Sequence, residues 1–147
     1  MGTFDSLAQP FESERATTVT TGLSVEDCLA LLSGSTVGRL AVSVGALPAI
    51  FPVHYRTVDN AIWFRAASDG SLLRASNGSV VAFEVDGCDG SGPLEWSVLV
   101  QGIAEEVADP ARLESVEAQW FAASPRRRGA DRHLVLPITI ISGSRYV

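Results

Sequence analysis

A mainly β domain, built as a six-stranded antiparallel barrel or strongly curled sheet with short helices, is the fold class this sequence predicts, on three observations. Six strand-like stretches lie between residues 36 and 140, and in three of them apolar residues alternate with a period of two. The helical stretches are short and none falls between the first three strands, which is not the βαβ alternation of a parallel sheet. The chain of 147 residues, 46% hydrophobic and 19% charged, has the size and balance of one packed domain without staples. Closure of such a sheet removes exposed strand edges.

Ser24 caps a short helix with Glu26 and Asp27 in its first turn, and Val25, Cys28, Leu29 and Leu32 recur at helical spacing as far as Ser33-Gly34. From Thr36 the period becomes two: Leu40, Val42 and Val44 point one way, Arg39, Ala41 and Ser43 the other. Gly45-Ala46-Leu47 turns the chain. A second strand follows, with Ala49, Phe51, Val53 and Tyr55 alternating with Ile50, Pro52, His54 and Arg56. Pro52 marks an edge or a bulge, because it has no N–H to donate. Asp59-Asn60 supplies the next turn, and Ile62-Trp63-Phe64-Arg65 runs back as the third strand of a meander.

Residues 68–78 are polar at both ends around Leu72-Leu73-Arg74, a single helical crossover capped by Asn77-Gly78. A fourth strand occupies 80–85. Three glycines, two aspartates and a proline make 86–93 a loop, and 96–107 is the longest strand. Asp109-Pro110 starts a second substantial helix whose stripe is Leu113, Val116, Trp120 and Phe121. After a basic segment at 125–132 that is expected to be mobile, Leu134, Leu136, Ile138 and Ile140 alternate with His133, Val135, Pro137 and Thr139 as the sixth strand.

Seventeen acidic against eleven basic residues give a net charge of −6, which disfavours a nucleic-acid partner. Every basic residue is arginine, so chemistry that needs a lysine amine is excluded. Cys28 and Cys88 lack metal-ligand spacing, and two distant thiols fit a reducing, cytoplasmic setting better than a disulfide framework. Residues 1–22 carry no apolar run and are expected to form a loosely ordered arm, neither a leader nor a membrane span. No nucleophile triad, phosphate-binding loop or dinucleotide fingerprint occurs, which leaves chemistry performed by a bound cofactor.

The order of motifs carries a resemblance: a helix over 23–32, Val37-Gly38-Arg39-Leu40-Ala41-Val42, Pro52-Val53-His54-Tyr55, Trp63-Phe64-Arg65, Ala82-Phe83-Glu84-Val85, Trp96-Ser97-Val98-Leu99-Val100-Gln101-Gly102, Ala104-Glu105-Glu106-Val107, then Pro137 and Ser142-Gly143-Ser144-Arg145. Over about residues 23–147 the chain resembles the pyridoxamine 5'-phosphate oxidase-like flavoproteins, nearest the branch that contains nitroimidazole reductases. The resemblance implies a split β-barrel and a homodimer with FMN, or alternatively a deazaflavin, in grooves between the two barrels. It implies an oxidoreductase that passes electrons from a reduced nicotinamide through the flavin to a small planar acceptor. The alternative is a non-catalytic dimeric module for a flavin, deazaflavin or haem-like ligand.

The resemblance also nominates residues. Val53, His54 and Tyr55 lie on the strand that runs beneath the flavin ring, although alternation equally allows Tyr55 in the core and His54 on the surface. The phosphate falls to Arg65, Ser68, Ser71 and Arg74 around the crossover helix, where a guanidinium fork and hydroxyls suit an anion. Relatives often carry Gly-Ser/Thr-Lys there; this chain has Gly70-Ser71-Leu72 and a neighbouring Asp69, which weakens the clamp. Trp96 and Ser97 open the long strand beside the flavin, with their side chains on opposite faces. Arg126-Arg127-Arg128 reads first as a solvated loop, and adjacent Glu105 and Glu106 face opposite ways and form no acid–base couple.

Overall fold

The computed structural model describes residues 20–88, 94–121 and 131–146. Residues 1–19 of the expected arm, part of the 86–93 loop and the Arg126-Arg127-Arg128 run lie outside the described residues, as do the side chains of Trp120 and Phe121. The elements in order are β1 (Thr20–Gly22), α1 (Val25–Ser33), β2 (Val37–Val44), β3 (Leu47–Val58), β4 (Ala61–Ala67), α2 (Ser71–Ser76), β5 (Ser79–Cys88), β6 (Leu94–Val107), α3 (Pro110–Phe121), β7 (Asp131–Pro137) and β8 (Ile140–Tyr146).

Six antiparallel strands form a closed ring in the order β6-β5-β2-β3-β4-β7, with β7 returning to β6. The barrel expected from the alternation is therefore present. Two further strands extend it: β8 pairs with β6, and β1, the last three residues of the expected arm, pairs with β8. The long β6 serves two partners, β8 along Trp96 to Gln101 and β7 along Glu105 to Val107.

One expected strand proves to be two. The alternation through residues 133–140 is interrupted at Ile138, whose N–H donates to the Asn60 carbonyl (3.1 Å) while the Asn60 amide donates back to the Ile138 carbonyl (3.3 Å). The turn between β3 and β4 thus takes over the backbone of Ile138, and the chain leaves the ring for the outer side of β6. Ile138 stays buried, so the apolar pattern alone hides the break.

Local sequence explains the turns and the caps. Gly45 and Ala46 (φ 54° and 69°) and Asp59 and Asn60 (φ 52° and 57°) both make two-residue hairpins with left-handed central residues. The Ser24 hydroxyl accepts from the Asp27 N–H at 3.1 Å, as expected of an N-cap. The interior is filled by the inward residues of each strand, among them Leu40, Val53, Tyr55, Phe64, Phe83, Val100 and Leu136, with Leu32 of α1 added. β4 is buried on both faces. Ile62 and Phe64 point inward, and Trp63 lies on the outer side beneath α3, where the Arg112 guanidinium sits 4.9 Å from its ring centre.

Candidate functional site

β3 belongs to two pairings that do not overlap. Residues 47–54 pair with β2, and residues 55–58 with β4. Beyond Tyr55 and Phe64 the two strands splay, so the β4 side of residues 51–54 has no strand partner among the described residues. Pro52 sits on this open edge, where a missing N–H costs nothing. The gap is a cavity of about 300 Å³, with Phe51, Pro52, Val53 and His54 on one wall, Arg65, Ala66 and Ala67 opposite, and Gly70, Ser71 and Leu72 at the start of α2. That volume is at the lower end of the range of about 300–1,000 Å³ usual for cofactor pockets.

Of the nominated residues, Val53, His54, Arg65 and Ser71 meet here. Leu72 also lines the cavity, so the position where relatives often carry lysine presents an apolar side chain. Arg65 is not displayed to solvent: its side chain is 11% exposed, and its Nη2 donates to both carboxylate oxygens of Glu117 on α3 at 3.0 and 3.1 Å. His133, the cross-strand partner of Arg65, contacts the same carboxylate through Nε2. Sequence reasoning missed Glu117 and assigned no role to His133. The pairing of β4 with β7 spans about seventy residues, and only that pairing puts the imidazole beside the arginine.

The other nominated residues lie elsewhere. Tyr55 is core: it is 2% exposed, its ring meets Phe83 edge-on at 4.8 Å between centres, and its hydroxyl donates to the Leu32 carbonyl. Burial pushes its phenol up to about 12, so it stays neutral. Ser68 is exposed and does not line the cavity, and Arg74 is exposed with Nη1 donating to the Asp69 carbonyl at 2.9 Å. Trp96 packs against Gly87, where an added β-carbon would lie 2.4 Å from the indole. The Ser97 hydroxyl is 2.9 Å from that of Tyr146. Within one chain neither Trp96 nor Ser97 reaches the cavity.

The outer face of the sheet continues from the cavity wall and carries exposed apolar residues. Ile50 is 70% exposed, and Val80 and Ile103, direct cross-strand partners, are 75% and 51% exposed. Ile103, Val80, Pro137 and Ile140 border a groove of about 690 Å³, larger than the cavity but without ionisable groups other than Glu105. Between these patches Arg39 lies 3.5 Å from both Glu84 and Asp86. Burial, then the hydrogen bond and charge of Asp86, push Glu84 up from 4.5 to about 7, against the pull of Arg39.

A raised carboxyl means that the folded chain keeps a proton the unfolded chain gives up. Its stabilising contribution is complete below pH 4.5 and is lost as pH rises to about 7. Glu84→Gln should remove this dependence, melting higher than wild type at pH 8 and converging with it toward pH 4.5. Thermal melts across that window check it; parallel curves would rule out a titrating Glu84.

The pyridoxamine 5'-phosphate oxidase family model matches residues 24–145. An uncharacterized protein of Mycobacterium tuberculosis, Rv0080, is 33% identical over 132 residues, which cover 84% of this chain and 87% of that protein. Among solved structures, the FAD binding protein from Mycobacterium smegmatis is 31% identical with a TM-score of 0.72, over 86% of this chain and 100% of that one. A proposed 5-nitroimidazole antibiotic resistance protein from Bacteroides thetaiotaomicron, 9% identical over 88% of this chain and 89% of its own, shares the fold with a TM-score of 0.70. The family model spans most of the chain and a relative is one-third identical over most of both sequences: the chain belongs to the pyridoxamine 5'-phosphate oxidase family.

Proposed function

We propose that the chain is a homodimeric flavin-dependent oxidoreductase, with the flavin ring along the open edge of β3 and its ribityl phosphate toward Arg65 and Ser71. The observation that carries this reading is the splaying of β3 from β4, which exposes backbone at residues 51–54 opposite a strand end bearing Arg65. The fit is chemical: an apolar slot of Phe51, Val53 and Leu72 suits a planar ring, backbone polar groups suit its edge, and a guanidinium with a hydroxyl suits a phosphate. FMN and FAD share that portion; the Mycobacterium smegmatis relative is named for FAD.

A bound flavin would supply the exchange of hydride or paired electrons, from a reduced nicotinamide to a small planar acceptor. The chain's own residues would bind, orient and keep water out. A second copy is part of the reading because Pro52 and His54 lie on the same outer face as Ile50, Val80 and Ile103. A partner laid on that face would cover exposed apolar surface and wall the open side of the cavity.

Sedimentation of the flavin-loaded protein, followed at about 450 nm where oxidised flavin absorbs, tests both halves. The expected result is colour moving with a two-chain species at one flavin per chain. Flavin that sediments apart from the protein, or with single chains, sinks the reading. Anaerobic addition of a reduced nicotinamide should then bleach the band; a loaded dimer that stays oxidised would instead be the binding module.

A further inference from the structure

We infer that Glu117 sets the phosphate specificity of the cavity: it is an internal anion that holds Arg65 and competes with an incoming phosphate for it, and His133 retains the carboxylate when Arg65 turns to the ligand. The inference rests on the proposed placement of a flavin phosphate at Arg65.

Three observations support it. Glu117 reaches down from α3 to two cross-strand neighbours, Arg65 and His133, whose side chains are 11% and 13% exposed while its own is 23% exposed. Nη2 of Arg65 lies within 3.1 Å of both oxygens, and Nε2 of His133 contacts one of them, so the carboxylate has a second donor in place. Arg65 also lines the cavity, where Leu72 adds no charge.

A partly buried guanidinium requires an anion nearby, and Glu117 supplies it before any ligand arrives. A phosphate brought to the same arginine meets the repulsion of that carboxylate in a site of reduced dielectric. The repulsion grows with ligand charge. A terminal phosphate monoester, as in FMN, carries about −1.5 to −2 at neutral pH, whereas each phosphorus of the FAD pyrophosphate carries a single charge. The site should therefore penalise FMN more than FAD, and riboflavin not at all.

The test is titration of riboflavin, FMN and FAD into wild type, Glu117→Gln and Glu117→Asp. Glu117→Gln should raise FMN affinity about fivefold or more, raise FAD affinity less and leave riboflavin unchanged. Glu117→Asp, which keeps the charge, should stay near wild type. Unchanged or weaker FMN binding in Glu117→Gln, or an equal rise for riboflavin, overturns the inference. If Glu117→Gln does not fold, His133→Leu takes its place: with no second donor for the carboxylate, FMN should weaken relative to riboflavin, and no change counts against the inference. Arg65→Ala separates the two levels. If it lowers FMN but not riboflavin while Glu117→Gln does nothing, only the role of Glu117 falls; if it spares FMN, the phosphate placement itself falls.

Discussion

Arg65→Ala is expected to weaken FMN binding about ten- to a hundredfold, since losing a charge-assisted hydrogen bond to a phosphate costs about 1.5–3 kcal/mol. No lysine exists in the chain to compensate, and Leu72 and Ser71 bring no charge to that end of the cavity. The variant also leaves Glu117 without its arginine, so a carboxylate then faces the incoming phosphate and adds to the loss. Breaking a partly buried ion pair destabilises the fold as well, so the titration belongs well below the melting temperature. Riboflavin separates the effects. It lacks the phosphate, so its affinity should hold while that of FMN falls. Equal weakening of both would make Arg65 a support of the fold or the ring, and the phosphate would have to sit elsewhere.

Most of the barrel strands were legible because they obey local rules, whereas β1 and the separation of β8 from β7 were not. Alternation marks β2 and β3, the Asp59-Asn60 turn fixes the β3–β4 hairpin, and Ser24 fixes the start of α1. Pro52 even announced the open edge on which the cavity depends. What the sequence hid was non-local. Tyr55 shares its alternation with Val53, which lines the cavity, yet it is the last β3 residue paired with β4 before the strands splay, and its ring is held in the core. Glu117 and His133 become neighbours of Arg65 only through the closure of β7 on β4 and the docking of α3, and a lone glutamate in an amphipathic helix carries no mark of that. The break at Ile138 depends on Asn60, seventy-eight positions away. Trp96 and Ser97 are on β6 and do not line the cavity of the single chain, which local alternation could not reveal.

Gly38→Ala should be among the most damaging single-methyl additions to this barrel, costing about 3 kcal/mol and lowering the melting temperature by roughly 10 °C for a domain of this size. A β-carbon on Gly38 would lie 2.2 Å from Cζ of Phe83 and 2.6 Å from Cε2. Neither side can yield easily. Gly38 is held opposite Val53 in β2, the next residue, Arg39, is paired with both Pro52 and Glu84, and the Phe83 ring is fully buried against Tyr55. The remedy must come from the ring, so Phe83→Leu in the same chain should recover part of the loss, with a coupling of about 1–3 kcal/mol between the two sites. The effect bears on function because Val53, the partner of Gly38, forms part of the cavity wall. Chemical denaturation of the two single variants and the double variant measures that coupling. If Gly38→Ala is as stable as wild type, or if the two changes simply add, Phe83 has room to swing aside and the close packing of β2 on β5 does not hold the wall of the site in place.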